Sequence, residues 1–250
     1  MKLGLMLGYW SAQPPPRMVE LAQIAEGSGF DSVWTAEAYG SDVVSPLCWI
    51  GAHTSTIKLG TGLMQISART PASAAMTAAT IDHLSNGRLI LGLGVSGPQV
   101  VEGWYGQSFP KPLARTREYV EIIRKILRRE APVVNEGEHY PMPYPGGTGL
   151  GKPLKITVHP LRSEIPIYLG AEGPKNVKMA TEIADGWLPI FYSPYRNDMY
   201  EGISFRDGFE VACPVTVVPT DDVESALGFI KLSLSFYIGG MGAKDRNFHL

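Results

Sequence analysis

Residues 82–94 read DHLSNGRLILGLG, and this stretch contains the end of one element and nearly all of the next. Asn86 and Gly87 both tolerate the left-handed backbone conformation with which helices commonly end, so a helix is predicted to stop here. The run 89–95 is apolar on both faces, which is typical of a parallel strand that is buried on both sides. Gly92 and Gly94 near its end leave room for another group to approach the backbone.

The composition is that of a globular protein with one large domain or two small ones. The chain has 250 residues, of which 44% are hydrophobic and 18% charged, and a formal net charge of −2. This balance gives no reason to expect a nucleic acid or an anionic membrane as partner.

Cys48 and Cys213 lie far apart in apolar runs, which indicates reduced core cysteines of a cytoplasmic protein. The N-terminal run reads as a first strand rather than a signal peptide, and no segment approaches the roughly 18 apolar residues of a membrane span.

Strand-like and helix-like segments alternate along the chain, which indicates parallel β-α-β units. Seven strands are predicted, at 2–8, 32–37, 57–64, 89–95, 166–172, 186–192 and 209–218. The main helices are predicted at 17–27, 45–53, 72–84, 115–129, 175–184 and 223–237. The continuous repeat favours a (β/α)8 TIM barrel over an open doubly wound sheet. The residues after Tyr237 are too few for an eighth unit, so the predicted barrel is shortened at the C-terminus.

Residues 132–164 interrupt this repeat. They are rich in proline and glycine and only weakly periodic, and a loop of this length in a compact domain is usually functional. We therefore predict a single TIM-barrel domain over residues 1–250, with an inserted hairpin or lid at about 132–164 that contributes to a substrate pocket.

The carboxyl ends of the strands are where a barrel carries its chemistry. The predicted strand ends are rich in glycine and aromatic residues and poor in ionisable groups, which suits a large flat ligand better than a hydrolytic triad. No pair of histidines or acids has the spacing of metal ligands, so no metal site is predicted. The segment 170–173 leads into Pro174, a favoured residue for the first turn of a helix, and free backbone N–H groups there suit a phosphate. An ordinary strand-to-helix turn is the alternative.

One carboxylate, Glu37, ends an apolar strand, where a charged group is unexpected. Either it exchanges a proton or holds a ligand group, or it forms a pair with Arg69 or another cation. Tyr9, Tyr39 and Tyr192 could donate hydrogen bonds at the same edge, although buried tyrosines commonly only pack.

The stretch DHLSNGRLILGLG, with LGTGLM before it, ARTREYVEIIRKILR after it and PIYLGAEGPKNVKMATEIADGW further on, resembles the bacterial luciferase-like monooxygenase superfamily. The sequence is most similar to its branch of coenzyme F-420-dependent oxidoreductases (F420, a deazaflavin), as found in actinobacteria. The resemblance runs from Met1 to about Trp187, returns around 211–218, and shows again in SFYIGGMGAKDRNFH. Flavin mononucleotide (FMN) occupies the same site in other members of the superfamily.

This resemblance implies a (β/α)8 barrel with the cofactor ring at the carboxyl ends of the strands. It also implies a non-proline cis peptide bond between Gly62 and Leu63, in a bulge that backs the ring. The segment 171–173 matches the family's phosphate region, and 94–99 would line the other side of the ring, where Gly92 and Gly94 keep the strand end slim. The implied cofactor-binding residues are Tyr9, Gly62, Leu63, Met64, Gly94, Ser96, Gly97, Gln99, Gly170, Ala171, Glu172 and Gly173.

One departure from the family concerns the proton donor. Many relatives carry an Asp-His pair at the end of the second strand, where this chain has Glu37-Ala38 followed by Tyr39. The family's histidine therefore cannot be carried over, and Glu37, Tyr39 or Tyr9 would take its place.

The resemblance thus implies an oxidoreductase that transfers a hydride between coenzyme F420 and a small organic substrate, with Glu37 and Tyr39 as catalytic residues. Two alternatives stay open: an FMN-dependent monooxygenase that works with a separate reductase, and a non-catalytic relative that only binds the cofactor. The expected partners are the small-molecule substrate and a second copy of the chain in a homodimer, in the cytoplasm, with neither nucleic acid nor membrane.

Overall fold

The computed structural model describes residues 1–195, 197–235, 237, 242–243 and 246–247. The strands are β1 (Gly4–Met6), β2 (Ser32–Thr35), β3 (Lys58–Thr61), β4 (Met64–Gln65), β5 (Leu89–Gly94), β6 (Ile167–Gly170), β7 (Gly186–Leu188), β8 (Glu210–Val211), β9 (Gly242–Ala243) and β10 (Arg246–Asn247). The helices are α1 (Met18–Gly27), α2 (Val44–Gly51), α3 (Pro71–Leu84), α4 (Pro98–Gly103), α5 (Pro112–Arg128), α6 (Pro174–Ile183) and α7 (Val223–Ser235), with a 3-10 turn at Asn197–Tyr200. Within this described part, none of the helices is both long and apolar enough to cross a membrane.

The main sheet is parallel, and its strand order follows the chain: β1-β2-β3-β5-β6-β7-β8, with β4 also paired to β5. β3 and β4 form one strand position, because only two residues separate them and both pair with β5. The sheet therefore has seven strand positions, in the order that the sequence predicts. A doubly wound sheet would reverse its strand order partway, so this order is that of a barrel.

The structure has the seven strand positions that the sequence predicts, and they form an open half-barrel with β1 and β8 at its edges. An ion pair between Lys2 and Glu210 connects the two edges near the amino-terminal ends of the strands. The last predicted strand, 209–218, ends at Val211 in the structure. Val215 and Val217 beyond it are 77% and 79% exposed. Among the described residues no further strand lies beside β8 to extend the ladder of hydrogen bonds.

The sheet has a separate apolar cluster on each face. On the outer face, side chains such as Leu59, Leu91 and Trp187 pack with the helices. On the inner face, Trp34, Ile90, Tyr168 and Leu188 form a smaller cluster. Gly60 makes this inner cluster possible, because a Cβ atom there would lie 2.2 Å from the Trp34 ring. Trp34 can thus fill the concave side of the sheet.

Residues 132–164, predicted as an inserted hairpin or lid, run along the outer faces of α3 and α5. A single antiparallel bridge joins Asn135 to Met142. Glu118 of α5 accepts hydrogen bonds from the backbone N–H groups of His139 (3.0 Å) and Tyr140 (2.6 Å). Arg162 forms an ion pair with Asp82, which is fully buried near the end of α3. These contacts hold the segment against the helical layer.

Candidate functional site

The short segment between β3 and β4 brings three of the predicted regions together. The peptide bond between Gly62 and Leu63 is cis, as the resemblance implies. The Leu63 side chain lies against the ends of β5 and β6: a Cβ atom would be 2.5 Å from Leu63 Cδ1 at Gly94 and 2.3 Å from it at Gly170. Since real Cβ contacts are longer than this, the two glycines are needed for Leu63 to lie between the strand ends. Leu63, Gly94 and Gly170 are therefore one cluster.

The glycines of the opening stretch face other parts of the chain. A Cβ atom at Gly92 would lie 1.9 Å from the Thr61 carbonyl oxygen and 2.9 Å from Leu188 Cδ1. The Thr61 hydroxyl also donates to the Gly92 carbonyl oxygen and accepts from the Gly92 N–H, both at 2.8 Å. The slim strand end expected beside a cofactor ring is thus occupied by the chain itself, with Thr61 against Gly92 and Leu63 against Gly94.

Glu37 is bound by the chain's own donors. Its Oε1 atom accepts hydrogen bonds from Arg69 Nη1 at 2.9 Å and from the Gln65 N–H at 3.1 Å, and Oε2 accepts one from the Val43 N–H at 3.1 Å. The residue is only 6% exposed. This is the pair with Arg69 that the sequence allowed as the alternative to a catalytic role. The carboxylate ties the end of β2 to β4 and to the start of α2.

Two further residues, for which no role was predicted from the sequence, support this strand end. Gln65 Nε2 donates to the carbonyl oxygens of Ala38 at 2.9 Å and Glu37 at 3.3 Å. The Tyr105 hydroxyl donates to the same Ala38 oxygen at 3.4 Å. The one signal for Gln65 was a polar side chain directly after an apolar strand, whereas Tyr105 lies 67 residues from its acceptor.

The predicted tyrosines lie at the edge of the site in different settings. Tyr9 and Tyr39 are 49% and 53% exposed. Tyr192 packs edge-on against Trp187, with ring centroids 6.1 Å apart.

Tyr237 packs edge-on against Phe191, with ring centroids 5.5 Å apart. Burial and a hydrogen bond with Tyr9 raise the pKa of Tyr237. Tyr237 thus lies at the edge of the site.

Glu172 is the titratable group of the predicted phosphate region. Its Oε1 atom accepts a hydrogen bond of 2.7 Å from the Ile190 N–H, and this bond joins the ends of β6 and β7. Burial raises the pKa of Glu172 to about 7, and the backbone N–H groups of Ile190 and Phe191 only partly oppose this shift. Near neutral pH the carboxyl group is therefore divided between its neutral and its ionised form. The neighbouring Ala171 carbonyl oxygen accepts Trp187 Nε1–H at 2.7 Å.

Helix α6 begins beside this carboxyl group. Gly173 is its N-cap residue and offers no side-chain cap, and Pro174 follows in the first turn. A Cβ atom at Gly173 would meet nothing within 4 Å, so the space in front of the helix is open. Pro174 has no N–H, and the N–H groups of Asn176 and Val177 donate to the Gly173 carbonyl oxygen at 2.9 and 3.0 Å. The helix dipole and the Lys175 N–H are therefore what favours an anion at this position.

The remaining predicted residues divide between the site and the core. Ser96 has a left-handed backbone with φ of 59°, and Gly97 is the N-cap residue of α4. Gln99 is exposed on that helix. Met64 is fully buried in the outer core, so its side chain is not available to a cofactor. Among the described residues no group of three or more His, Cys, Asp or Glu side chains could hold a metal ion.

The chain has a parallel α/β sheet of the barrel type, with a glycine-lined bulge at the carboxyl ends of its strands. Barrel proteins as a class bind their ligands at that edge. The model of the luciferase-like monooxygenase family matches residues 2–249. The chain belongs to that family.

Three similar proteins carry informative names. The chain is 58% identical, over 262 aligned residues, to Rv3520c of Mycobacterium tuberculosis, named as a candidate coenzyme F420-dependent oxidoreductase; the alignment covers 100% of this chain and 76% of that protein. It is 33% identical to the 5,10-methylenetetrahydromethanopterin reductase of Archaeoglobus fulgidus over 87% of this chain and 65% of the relative. The structure of coenzyme F420-dependent tetrahydromethanopterin reductase from Methanopyrus kandleri superposes with a TM-score of 0.76 and 28% identity, over 98% of this chain and 73% of that one. The chain thus spans from about two thirds to three quarters of the length of these proteins.

Proposed function

We propose that this chain binds coenzyme F420 at the carboxyl ends of its strands and belongs to an oxidoreductase that transfers a hydride between this cofactor and a small organic substrate. The observation that carries the proposal is that the Leu63 side chain lies against Gly94 and Gly170. Gly170 is the last residue of β6, the strand that leads into the uncapped start of α6. The names of the M. tuberculosis and M. kandleri proteins both refer to coenzyme F420, which supports the choice of cofactor.

The residues at this edge fit a flat cofactor that carries a phosphate. Leu63 and Gly62 would hold the ring, since Gly62 adjoins the apolar side chains of Met6 and Trp34, 3.2 and 3.5 Å from where its Cβ would be. The Lys175 N–H and the dipole of α6 would hold the phosphate. When bound, a deazaflavin supplies a two-electron hydride carrier that reacts poorly with oxygen.

The chain's own part in the reaction is to position the substrate, exclude water and move a proton. We assign the proton transfer to the Tyr39 hydroxyl, because this side chain is half exposed at the end of β2. Glu37, which the sequence placed beside Tyr39 as a catalytic residue, acts here as a positioning residue, because both of its oxygens accept hydrogen bonds from within the chain.

The test is a titration of the purified protein with coenzyme F420 and, separately, with FMN, followed by quenching of tryptophan fluorescence. Saturable binding of F420 in preference to FMN is expected, and Trp10 and Trp34 lie close enough to the site to report it. The matched variant Tyr39→Phe should retain F420 binding and lose most of the turnover in a screen of small alcohols, ketones and enones. Binding of neither cofactor would contradict the proposal.

An FMN-dependent monooxygenase is the second candidate, supported by the family to which the chain belongs. Stronger binding of FMN, together with oxygen uptake when reduced FMN is supplied, would establish it in place of the F420 enzyme. Saturable F420 binding without turnover of any compound in the screen would instead support a non-catalytic binding protein.

We also propose that the protein forms a homodimer in the cytoplasm. The open edges of the sheet support the assembly, because among the described residues no strand pairs with the outer side of β1 or of β8, and unpaired strand edges are prone to pairing. Sedimentation velocity measures the oligomeric state, and a monomer at micromolar concentration would contradict the homodimer.

A further inference from the structure

Aromatic side chains lie on the loops that follow the carboxyl ends of several strands. Tyr9 follows β1 and Tyr39 follows β2, and both are about half exposed. Trp104, at the end of α4 after β5, is 65% exposed, and Phe191, after β7, is 37% exposed. Because these loops leave the same edge of the sheet, the aromatic groups surround the proposed cofactor site. Apolar surface concentrated in this way typically marks a binding site.

Contacts among these residues form a first aromatic wall. Tyr237 packs edge-on against Phe191, with ring centroids 5.5 Å apart. Tyr237 also shares a hydrogen bond with Tyr9. The first wall consists of these three residues and runs from the end of β1 to the end of β7.

A second aromatic wall lies at the end of β2. The Tyr105 hydroxyl donates to the Ala38 carbonyl oxygen at 3.4 Å, which holds the loop after α4 beside the residue that precedes Tyr39. The second wall is therefore Tyr39, Trp104 and Tyr105. In the strand order of the sheet, β6 and the Leu63 side chain against it lie between the two walls. A space with aromatic rings on both sides suits a flat, conjugated group, because such rings stack.

Three carboxylates at these strand ends are already bound within the chain. Glu37 is paired with Arg69. Asp42 accepts two backbone N–H groups at the start of α2, at 2.9 and 2.8 Å, and Glu172 accepts the Ile190 N–H at 2.7 Å. A charged substrate would lose its hydration here without gaining an ionic partner from these groups. The site therefore favours a neutral substrate.

We propose that the substrate is a neutral, planar enone whose double bond is conjugated to an aromatic ring, bound flat between the two walls. This inference rests on the proposed function, whose substrate class it names. The carbon β to the carbonyl takes a hydride from reduced F420, and the α carbon takes the proton of the Tyr39 hydroxyl. The π bond between these carbons breaks, a C–H bond forms at each of them, and F420 is oxidised by the two electrons of the hydride. Water returns a proton to Tyr39.

The experiment measures kcat/KM of the full chain with reduced F420 for three enones that share the same reacting double bond. Benzalacetone carries a phenyl ring on this bond, ethylideneacetone carries a methyl group in its place, and para-carboxybenzalacetone adds a carboxylate to the phenyl ring. The kcat/KM of benzalacetone is expected to exceed that of each of the other two by at least about tenfold, because one lacks the stacking ring and the other carries an unpaired charge.

Trp104→Ala and Phe191→Ala each remove one ring from a wall, so each should raise the KM for benzalacetone about tenfold and leave kcat/KM for ethylideneacetone unchanged. Trp104→Phe should restore most of the native KM. The matched control Tyr144→Ala, which removes an exposed ring from the inserted segment, should change neither value. The two alanine variants lie on separate walls, so the test stays valid if one of them fails to fold.

Equal kcat/KM for benzalacetone and ethylideneacetone, faster turnover of the carboxylate, or unchanged kinetics in both alanine variants would overturn the inference. If the native chain binds F420 in the fluorescence titration, such a result leaves the proposed function standing. Absence of F420 binding would overturn both.

Discussion

Glu37 and Arg69 form an ion pair at the carboxyl end of β2 in which the carboxylate side chain is 3% exposed and the guanidinium side chain 18%. The same carboxylate accepts two backbone N–H groups, from Val43 and Gln65. A buried charge of this kind is costly to leave without its partner, whereas removal of both charges costs much less.

Glu37→Gln should therefore lower the free energy of unfolding by about 3 kcal/mol, because Arg69 would lose its partner in a nearly buried position. Arg69→Met should have a similar effect. The double variant should be less destabilised than the sum of the two single variants, by at least about 1 kcal/mol. Urea denaturation of the four proteins measures this coupling. Strictly additive losses would show that the pair contributes little to the stability of the strand end.

The raised pKa of Glu172 makes a prediction about pH. Below about pH 4.5 the carboxyl group is neutral in both the folded and the unfolded chain, so it contributes no pH dependence to the stability there. Between about pH 4.5 and 7 the unfolded chain ionises first, so the folded chain binds more protons and its stability falls as the pH rises. The loss contributed by this group is complete above about pH 7 and amounts to roughly 3 kcal/mol. Glu172→Gln removes the titration, so the unfolding free energy of the native chain minus that of the variant should decrease across this window. If this difference in unfolding free energy is constant between about pH 4 and 8, the prediction is contradicted.

The start of α6 offers a test of the anion site that separates charge from capping. Both Gly173→Asp and Gly173→Asn supply a good N-cap side chain in open space, so both variants should fold at least as stably as the native chain. Only the aspartate adds a negative charge. We expect Gly173→Asp to bind F420 at least about tenfold more weakly than Gly173→Asn in the same fluorescence titration. Equal affinities would place the cofactor's phosphate elsewhere.

The glycines of β5 should respond differently to the same change. Gly92→Ala places a methyl group 1.9 Å from a backbone oxygen, which cannot move aside, so a loss of more than about 3 kcal/mol in unfolding free energy is expected. Gly94→Ala meets the Leu63 side chain, with Cδ1 at 2.5 Å and Cβ at 3.3 Å, and no backbone atom is among these neighbours. Its loss should therefore be smaller and should shrink when Leu63→Ala is added. Gly27→Ala, in open space at the end of α1, is the control. Rescue of Gly92→Ala by Leu63→Ala would contradict this account.

Local patterns in the sequence predicted much of the fold. Helix α3 and the turn at Asn86 and Gly87 follow from periodicity and backbone preference over a few residues, and both occur where predicted: Asn86 and Gly87 have φ of 54° and 82°. The order and number of strand positions follow from the same alternation. The open form of the sheet did not follow from the sequence. Whether the sheet closes depends on pairing between β1 and the last strand, more than 200 residues apart, and no local pattern encodes that pairing.

The sequence by itself determined which residue types reach the carboxyl ends of the strands, because side chains alternate along a strand and turns have characteristic residues. Only the tertiary structure decided what each one contacts. It placed Leu63 against Gly94 and Gly170, gave Glu37 to Arg69, and buried Met64 in the core. These outcomes depend on distances between segments that lie about 30 to 100 residues apart in the chain. Such distances are fixed by the packing of the whole sheet, and composition and periodicity carry no information about them.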